Sequence, residues 1–339
     1  MHHNVKEIIK SEPDYCRMTD LAAQRLGGSV LYATDDFFAE KENLIKPGRG
    51  IFIADKYTDR GKWMDGWESR RKRIPGHDWA IIKLATPGVI RGFDIDTNFF
   101  LGNHPPFASV EAVALAHDAE PSDWESAPWT EILPKSPLDP GSRNFFDCTS
   151  DGTFTHLRLH IYPDGGVARF RVYGTVKKDW TAVGESEETD LAAAINGAIP
   201  VACNDMFFSS MSNLIMPGRG INMGDGWETK RNRTLGNRDW VILRLATRGR
   251  IHRVTVDTCH FKGNYPDRFS LEGADLQNES DPQSDDPVWT TILPETKLGP
   301  DAEHFYRQEI AAQGPFTHVR LNIFPDGGVS RLRLYGTKA

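Results

Sequence analysis

The sequence is short of cysteine. Cys16, Cys148, Cys203 and Cys259 are the only four in 339 residues, and no two are close enough for a CxxC pair. That spacing argues against a thiolate zinc site and against a disulfide-stapled secreted fold, so reduced thiols are expected. Long apolar runs are missing too. Nothing approaches the ~20 residues needed to cross a bilayer, so no membrane partner is expected. The N-terminal stretch MHHNVKEIIKSEPDYCRMTD has no apolar centre of the signal-peptide kind. A cytoplasmic protein is the expectation. An excess of positive charge is also lacking. The formal net charge is −7 and the pI about 5.9, which argues against a nucleic-acid backbone as partner.

What remains is ordinary globular composition, with 39% hydrophobic and 26% charged residues. The length suits about two domains of the usual ~100–200 residues, each large enough for its own core. The chain also repeats itself. DDFFAEKENLIKPGRG at 35–50 matches DMFFSSMSNLIMPGRG at 205–220, and DGWESRRKR at 65–73 matches DGWETKRNR at 225–233. DWAIIKLAT at 78–86 matches DWVILRLAT at 239–247, and FDIDTNFFLGNHP at 93–105 matches VTVDTCHFKGNYP at 254–266. WTEILP at 129–134 returns as WTTILP at 289–294, and THLRLHIYPDGGVARFRVYGT at 155–175 as THVRLNIFPDGGVSRLRLYGT at 317–337. The period, about 160 residues, is far above the ~20–50 of solenoids and propellers, so a whole domain is duplicated. The expected division is an N-terminal extension at 1–19, repeat one at 20–176, a charged linker at 177–199 and repeat two at 200–339.

Within each repeat the pattern is β. HLRLHIY and RFRVYG alternate apolar and polar residues, and WAIIKLAT and WVILRLAT are short apolar runs ending in glycine-containing turns. Such strands at short spacing predict an all-β fold of two tandem jelly-roll sandwiches. The best helical candidate is DLAAQRLG at 20–27, closed by Gly27 and Gly28. Strands at 78–86 and 90–99, joined by a turn at Pro87-Gly88, would bring loops 65–77 and 101–106 to one end of repeat one. Loops 225–238 and 262–267 would meet in the same way in repeat two. The PDGG turns at 163–166 and 325–328 are hairpin tips expected at that end.

That end would carry Asp65, Glu68, Arg71, Arg73, Asn103, Asp164 and Arg169 in repeat one. Repeat two would carry Asp225, Glu228, Arg231, Arg233, Asn264, Asp326 and Arg331. Each also has a structural reading. Gly66 and Trp67 can turn the chain and fill the core, Glu68 can pair with Arg71 or Arg73, and Asn103 with Pro105 can shape a turn. Taken together, a repeated kit of carboxylates and arginines on loops points to a ligand site. Repeat one has an extra segment, FIADKYTDRGKWM at 52–64, with no counterpart in repeat two. Long loops of this kind often serve as lids.

The strand order, with its tryptophan-led strands and closing arginine-bearing hairpin, resembles the discoidin-like (galactose-binding-like) jelly roll. The longer strings SVLYATDDFFA, PGRGI, GKWMDGWESRRKR, GINMGDGWETKRNR, FKGNYPDRFSLEG and the two PDGG hairpins closely resemble the allantoicase family over about residues 20 to 337. The resemblance implies a soluble hydrolase of purine (allantoin) catabolism that converts allantoate and water into ureidoglycolate and urea. It makes homo-oligomers unsurprising. His104 stands where repeat two has Tyr265, and His160 where it has Asn322, which makes both histidines poor catalytic candidates.

The residues suit that substrate. Its carboxylate calls for the planar fork of arginine, its ureido N–H groups for carboxylates and its carbonyls for Arg or Asn donors. The scissile C–N bond lies at a saturated carbon, so no acyl-enzyme is needed, and no Gly-x-Ser-x-Gly elbow is present. General acid–base catalysis is expected, with Glu68 and Glu228 as first candidates and Asp65 and Asp225 as second. The arginines Arg71, Arg73, Arg169, Arg231, Arg233 and Arg331, with Asn103, Asn264, Asp164 and Asp326, would bind substrate. No HExxH or other close ligand spacing occurs, so no metal cofactor is taken as required, although oxygen-rich loops could hold Mn²⁺ or a similar divalent ion. Two rival readings stand beside this one. One is a non-catalytic discoidin-like module stacking a carbohydrate on Trp63, Trp67 or Trp227. The other is a urea-releasing hydrolase directed at ureidoglycolate.

Overall fold

The computed structural model describes residues 11–116, 118–276 and 280–339. It divides into two compact units, Met1–Lys177 and Lys178–Ala339. Each is built on one eight-stranded antiparallel sheet system, and among the described residues the single α-helix is the short Pro121–Glu125.

In unit 1 the strand Asp78–Asp96 organises everything else. Over 80–83 it lies between the strands Ser29–Ala33 and Thr153–Tyr162. Over 92–96 it lies between Arg143–Asp147 and Arg169–Val176. One strand thus serves both layers of a sandwich, with a bend between them. The bend is visible in the register, which jumps from Phe154↔Gly88 to His156↔Lys83. Pro87 sits in this bulge, where a residue without an N–H costs the ladder nothing. The sequence suggested two strands and a turn at Pro87-Gly88, but the chain stays in one continuous strand that changes layer. The consequence for the loops is the same. Asp78 pairs opposite Ile161 and Asp96 opposite Arg169, so both ends of the strand return to the hairpin turn at 163–168.

The core fills the space between the layers with Trp67, Ile82, Phe93, Val110, Leu157 and Phe170, each fully buried or nearly so. Unit 2 repeats the arrangement. Asp239–Asp257 pairs with Ile199–Cys203 and Phe316–Phe324 in its first part, and with Glu303–Tyr306 and Arg331–Lys338 in its second.

Two local expectations change. The stretch 20–27 is not a helix but a single 3-10 turn, Gln24–Leu26, closed by Gly27 at φ 108°. The sheet takes its backbone first: Thr19 and Asp20 pair with the strand Arg169–Val176, and Leu21 N–H donates to Val172 O. Residues 189–199 are not simple linker. Thr189 and Asp190 pair with Gly336 and Tyr335, and the strand Ile199–Cys203 joins the second sheet.

Candidate active site

The DGWE motif separates into structural residues and one residue that faces a cleft. Gly66 leaves no room for a side chain, since a Cβ there would lie 2.6 Å from Val167 O and 2.7 Å from the Phe100 ring. Trp67 is wholly buried, and its indole N–H donates to Asp35 O at 2.8 Å. Asp65 accepts from Arg169 Nη2 at 2.8 Å and from Ile51 N at 2.9 Å. Arg169 also donates to Asp65 O and to Gly48 O, and only 3% of it is exposed. This buried pair ties the PGRG loop to the hairpin. Unit 2 has the same construction, with Arg331 on Asp225 at 2.9 Å and Ile221 N on the same carboxylate. The structure therefore does not bring Asp65, Asp225, Arg169 or Arg331 to the walls of the hollows at Glu68 and Glu228, where the sequence had placed them, and Arg331 lines a separate hollow with Arg219 and Arg333.

Glu68 lies in the middle of a three-strand ribbon. Its N–H donates to Ala39 O, and it pairs with Gly166 on the other side. Its side chain reaches outward, and Asn103 Nδ2 donates to Oε1 at 2.7 Å. Asn103 is itself held, because its carbonyl accepts from Gly166 N at 2.8 Å. Gly165, at φ 139°, is forced to be glycine by the approach of Asn103 O and Pro105 N. The expected pairing of Glu68 with Arg71 or Arg73 does not form. Burial pushes the Glu68 carboxyl above its ordinary value, and the Asn103 hydrogen bond only partly opposes this. In unit 2, Asn264 Nδ2 donates to Glu228 Oε1, and Asn264 O accepts from Gly328 N at 2.9 Å.

Two adjoining hollows of about 360 and 450 Å³ share Phe38, Glu68, Gly102 and Asn103. The first is walled by Phe52, Lys62, Met64, Phe99 and Leu101. The second is lined by Arg71, Lys72, His104 and Asp164. Asp164 accepts from Lys72 N at 2.7 Å and so fixes the loop that carries Arg71. Arg71 is exposed, and the structure gives it no ion pair among the described residues. Arg73 is exposed and lies outside the walls of both hollows. In unit 2 the matching cleft, of about 640 Å³, is lined by Glu228, Arg231, Arg233, Asn264, Tyr265 and Asp326. Asp326 holds Asn232 N at 2.8 Å, as Asp164 holds Lys72.

The chain matches the allantoicase-repeat family model twice, over 19–177 and 189–339. A probable allantoicase of Pseudomonas savastanoi pv. phaseolicola is 52% identical over 322 residues, 94% of this chain and 96% of that protein. One of Pseudomonas fluorescens is 52% identical over 325 residues, 95% and 97% of the two chains. The solved structure of the allantoicase of Saccharomyces cerevisiae superposes with a TM-score of 0.78 at 39% identity, covering 94% of this chain and 92% of that one. Another solved allantoicase gives 0.81 at 38% identity, over 95% and 93%. The chain belongs to the allantoicase family.

In this member the two repeats differ most at the insertion. Residues 57–62 form a small hairpin, Tyr57–Thr58 against Gly61–Lys62. It packs over the Phe37–Phe38 pair: Arg60 donates to Phe37 O at 3.2 Å and lies over the Phe37 ring. Phe52 stacks on Phe99 with ring centres 5.4 Å apart. Phe37 and Phe38 are 38% exposed, while Phe207 and Phe208, without the hairpin, are 69% and 61% exposed. The insertion was visible in the sequence, but its position as a wall of the Glu68 hollow was not. Lys62 and Phe38 were missed for that reason.

The histidines set aside on sequence lie outside both hollows or form their edge. His160 Nε2 meets Glu111 Oε2 at 2.8 Å and Nδ1 meets His77 Nε2 at 2.9 Å. In unit 2 Asn322 donates to Glu272 Oε2 at 2.8 Å in the same position, so His160 fills a packing role that an amide also fills. His104 lines the second hollow. The carbohydrate reading loses its platform, because Trp67 and Trp227 are wholly buried and the Trp63 ring is covered by the Lys56 ammonium at 3.8 Å. Among the described residues no helix is long and apolar enough to cross a membrane.

Proposed function

We propose that the chain is a hydrolase acting on a C–N bond of the linear amidine-like substrate allantoate, giving ureidoglycolate and urea, and that the hollow around Glu68 carries the chemistry. The observation that supports this assignment to unit 1 is the Glu68 carboxyl. It is desolvated, oriented by Asn103 and open to a hollow that also holds Arg71. A carboxyl raised by burial keeps its proton closer to neutral pH and can donate it.

The chemistry then follows in two steps. Arg71 takes the substrate carboxylate. Protonated Glu68 donates to the nitrogen of the departing ureido group as the C–N bond breaks. Neutral urea leaves, and the electron pair of the retained ureido nitrogen stabilises the carbon as an acyliminium. Water then adds to that carbon, and the Glu68 carboxylate takes its proton. The sum is allantoate plus water to ureidoglycolate plus urea, with Glu68 returned to its protonated form. Asn103 is a positioning residue, since it holds Oε1 while the other oxygen handles the proton. Asp65 and Asp225 are positioning residues of the loops. No resident metal takes part in this scheme. The protein is read as a cytoplasmic enzyme that self-associates, with a small-molecule substrate.

The purified chain, untreated and after chelator treatment, is given allantoate or ureidoglycolate in parallel and urea is followed. Rapid urea from allantoate, unchanged by chelation, is the expected result. Urea from ureidoglycolate alone would move the substrate one step along. A folded sample releasing none from either would sink the hydrolase reading.

A further inference from the structure

Repeat two departs from repeat one at three neighbouring positions at once. Where unit 1 has Asn98 and Phe99, unit 2 has Cys259 and His260. The third exchange is fixed by geometry. Thr97 N–H donates to Ser142 O and Thr258 N–H to Ala302 O, both at 2.9 Å, so Gly141 corresponds to Asp301. Gly141 has φ 61° and Asp301 φ 49°. A left-handed backbone suits glycine best, and aspartate is among the few other residues that adopt it, so the exchange adds a carboxylate without breaking the turn.

These exchanges bring three ligating groups together. The Cys259 thiol, a ring nitrogen of His260 and a carboxylate oxygen of Asp301 all lie within 4.8 Å of one another. The cluster is already oriented. Asp301 Oδ1 accepts from His260 N at 2.7 Å, and Cys259 N donates to Asp257 Oδ1 at 2.9 Å. His260 Nε2 lies 2.8 Å from Gly220 O. A carbonyl only accepts, so Nε2 carries the proton and Nδ1 has the free lone pair, the arrangement that metal-binding histidines use.

The location explains why repeat two would need such a group. In unit 1 Phe99 stacks on Phe52 of the insertion, which anchors the loop leading to Asn103. Unit 2 has no insertion, and its residue at the Phe99 position is His260. The same loop there leads to Asn264, which holds Glu228.

We propose that Cys259, His260 and Asp301 bind a borderline-soft divalent cation of the Zn²⁺ class and so clip the loop at 258–261 to the loop at 299–302. One thiolate, one imidazole and one carboxylate are zinc-type ligands, and water would complete a tetrahedron. Their two negative charges balance the ion, and the thiol proton leaves to solvent on binding. The inference is independent of the reaction assigned to unit 1.

The chain, stripped with a chelator and then dialysed, is titrated with Co²⁺ as the probe. One ion per chain is expected, with a thiolate-to-Co²⁺ charge-transfer band in the near ultraviolet and tetrahedral bands in the visible, all removed by added Zn²⁺. Cys259→Ser is expected to lose the charge-transfer band, and Cys203→Ser to keep it. Asp301→Gly restores the residue that repeat one carries at this backbone angle, so folding is preserved. It is expected to weaken Co²⁺ binding by at least about tenfold. A natively folded chain with no thiolate band, a band that survives Cys259→Ser, or unchanged affinity in Asp301→Gly would each overturn the site.

Discussion

The two repeats build the same ribbon, glutamate and asparagine, yet they surround them differently. Glu68 faces hollows walled on one side by Phe52, Met64 and Phe99, beneath an inserted hairpin. Glu228 faces an undivided cleft lined by Arg231 and Arg233, next to bare Phe207 and Phe208. A carboxyl near apolar walls is poorly solvated and gives up its proton less readily, whereas arginines in an open cleft favour binding an anion. Duplication thus preserved the frame, and one insertion gave one copy walls of Phe52 and Met64 that the other lacks.

The sharpest way to break this comparison is a pair of matched substitutions. Glu68→Gln is expected to lower kcat for urea release by about 10²–10⁴, the usual worth of a general acid–base group, with Glu228→Gln within about tenfold of the unsubstituted chain. Equal losses would make the two clefts equivalent, and a larger loss at Glu228 would reverse their roles. Next in size is the frame itself. Asp65→Ala leaves Arg169 buried without its partner, which costs about 3–5 kcal/mol of stability. Asp225→Ala is expected to cost a similar amount through Arg331, measured by denaturant unfolding of each variant. A folded Asp65→Ala chain of unchanged stability that had lost turnover would return Asp65 to the chemistry.

The smallest effect is a dependence of stability on pH. The Glu68 carboxyl has a higher pKa folded than unfolded. Its contribution is therefore fully present below the unfolded value of about 4.3 and is lost as pH rises through the folded value. Glu68→Gln keeps an acceptor for Asn103 without the charge. Its Tm relative to the unsubstituted chain should rise as pH increases from the unfolded value through the raised folded one. A flat difference across that range would mean that the hollow solvates Glu68 as well as water does.

Much of this was readable in the residues. The duplication, the β pattern and the meeting of loops 65–77 and 101–106 with the PDGG turn followed from repetition and alternation, because both are properties of the chain itself. The helix expected at 20–27 was lost to pairing of Thr19 and Asp20 with a strand some 150 residues away, a long-range competitor invisible to local propensity. Asp65 and Glu68 sit three residues apart in one motif and were given similar duties. Burial separates them, since Arg169 closes over one and leaves the other at the hollow.

The sequence by itself determined the two-domain β architecture, the family and the set of polar residues at one end of each repeat. Only the tertiary structure decided which of those residues reach the cleft, that Phe52 comes to rest on Phe99, and that Cys259, His260 and Asp301 converge. The physical reason is that periodicity fixes which face a residue occupies, while partners distant in sequence decide whether its charge is paired, desolvated or free.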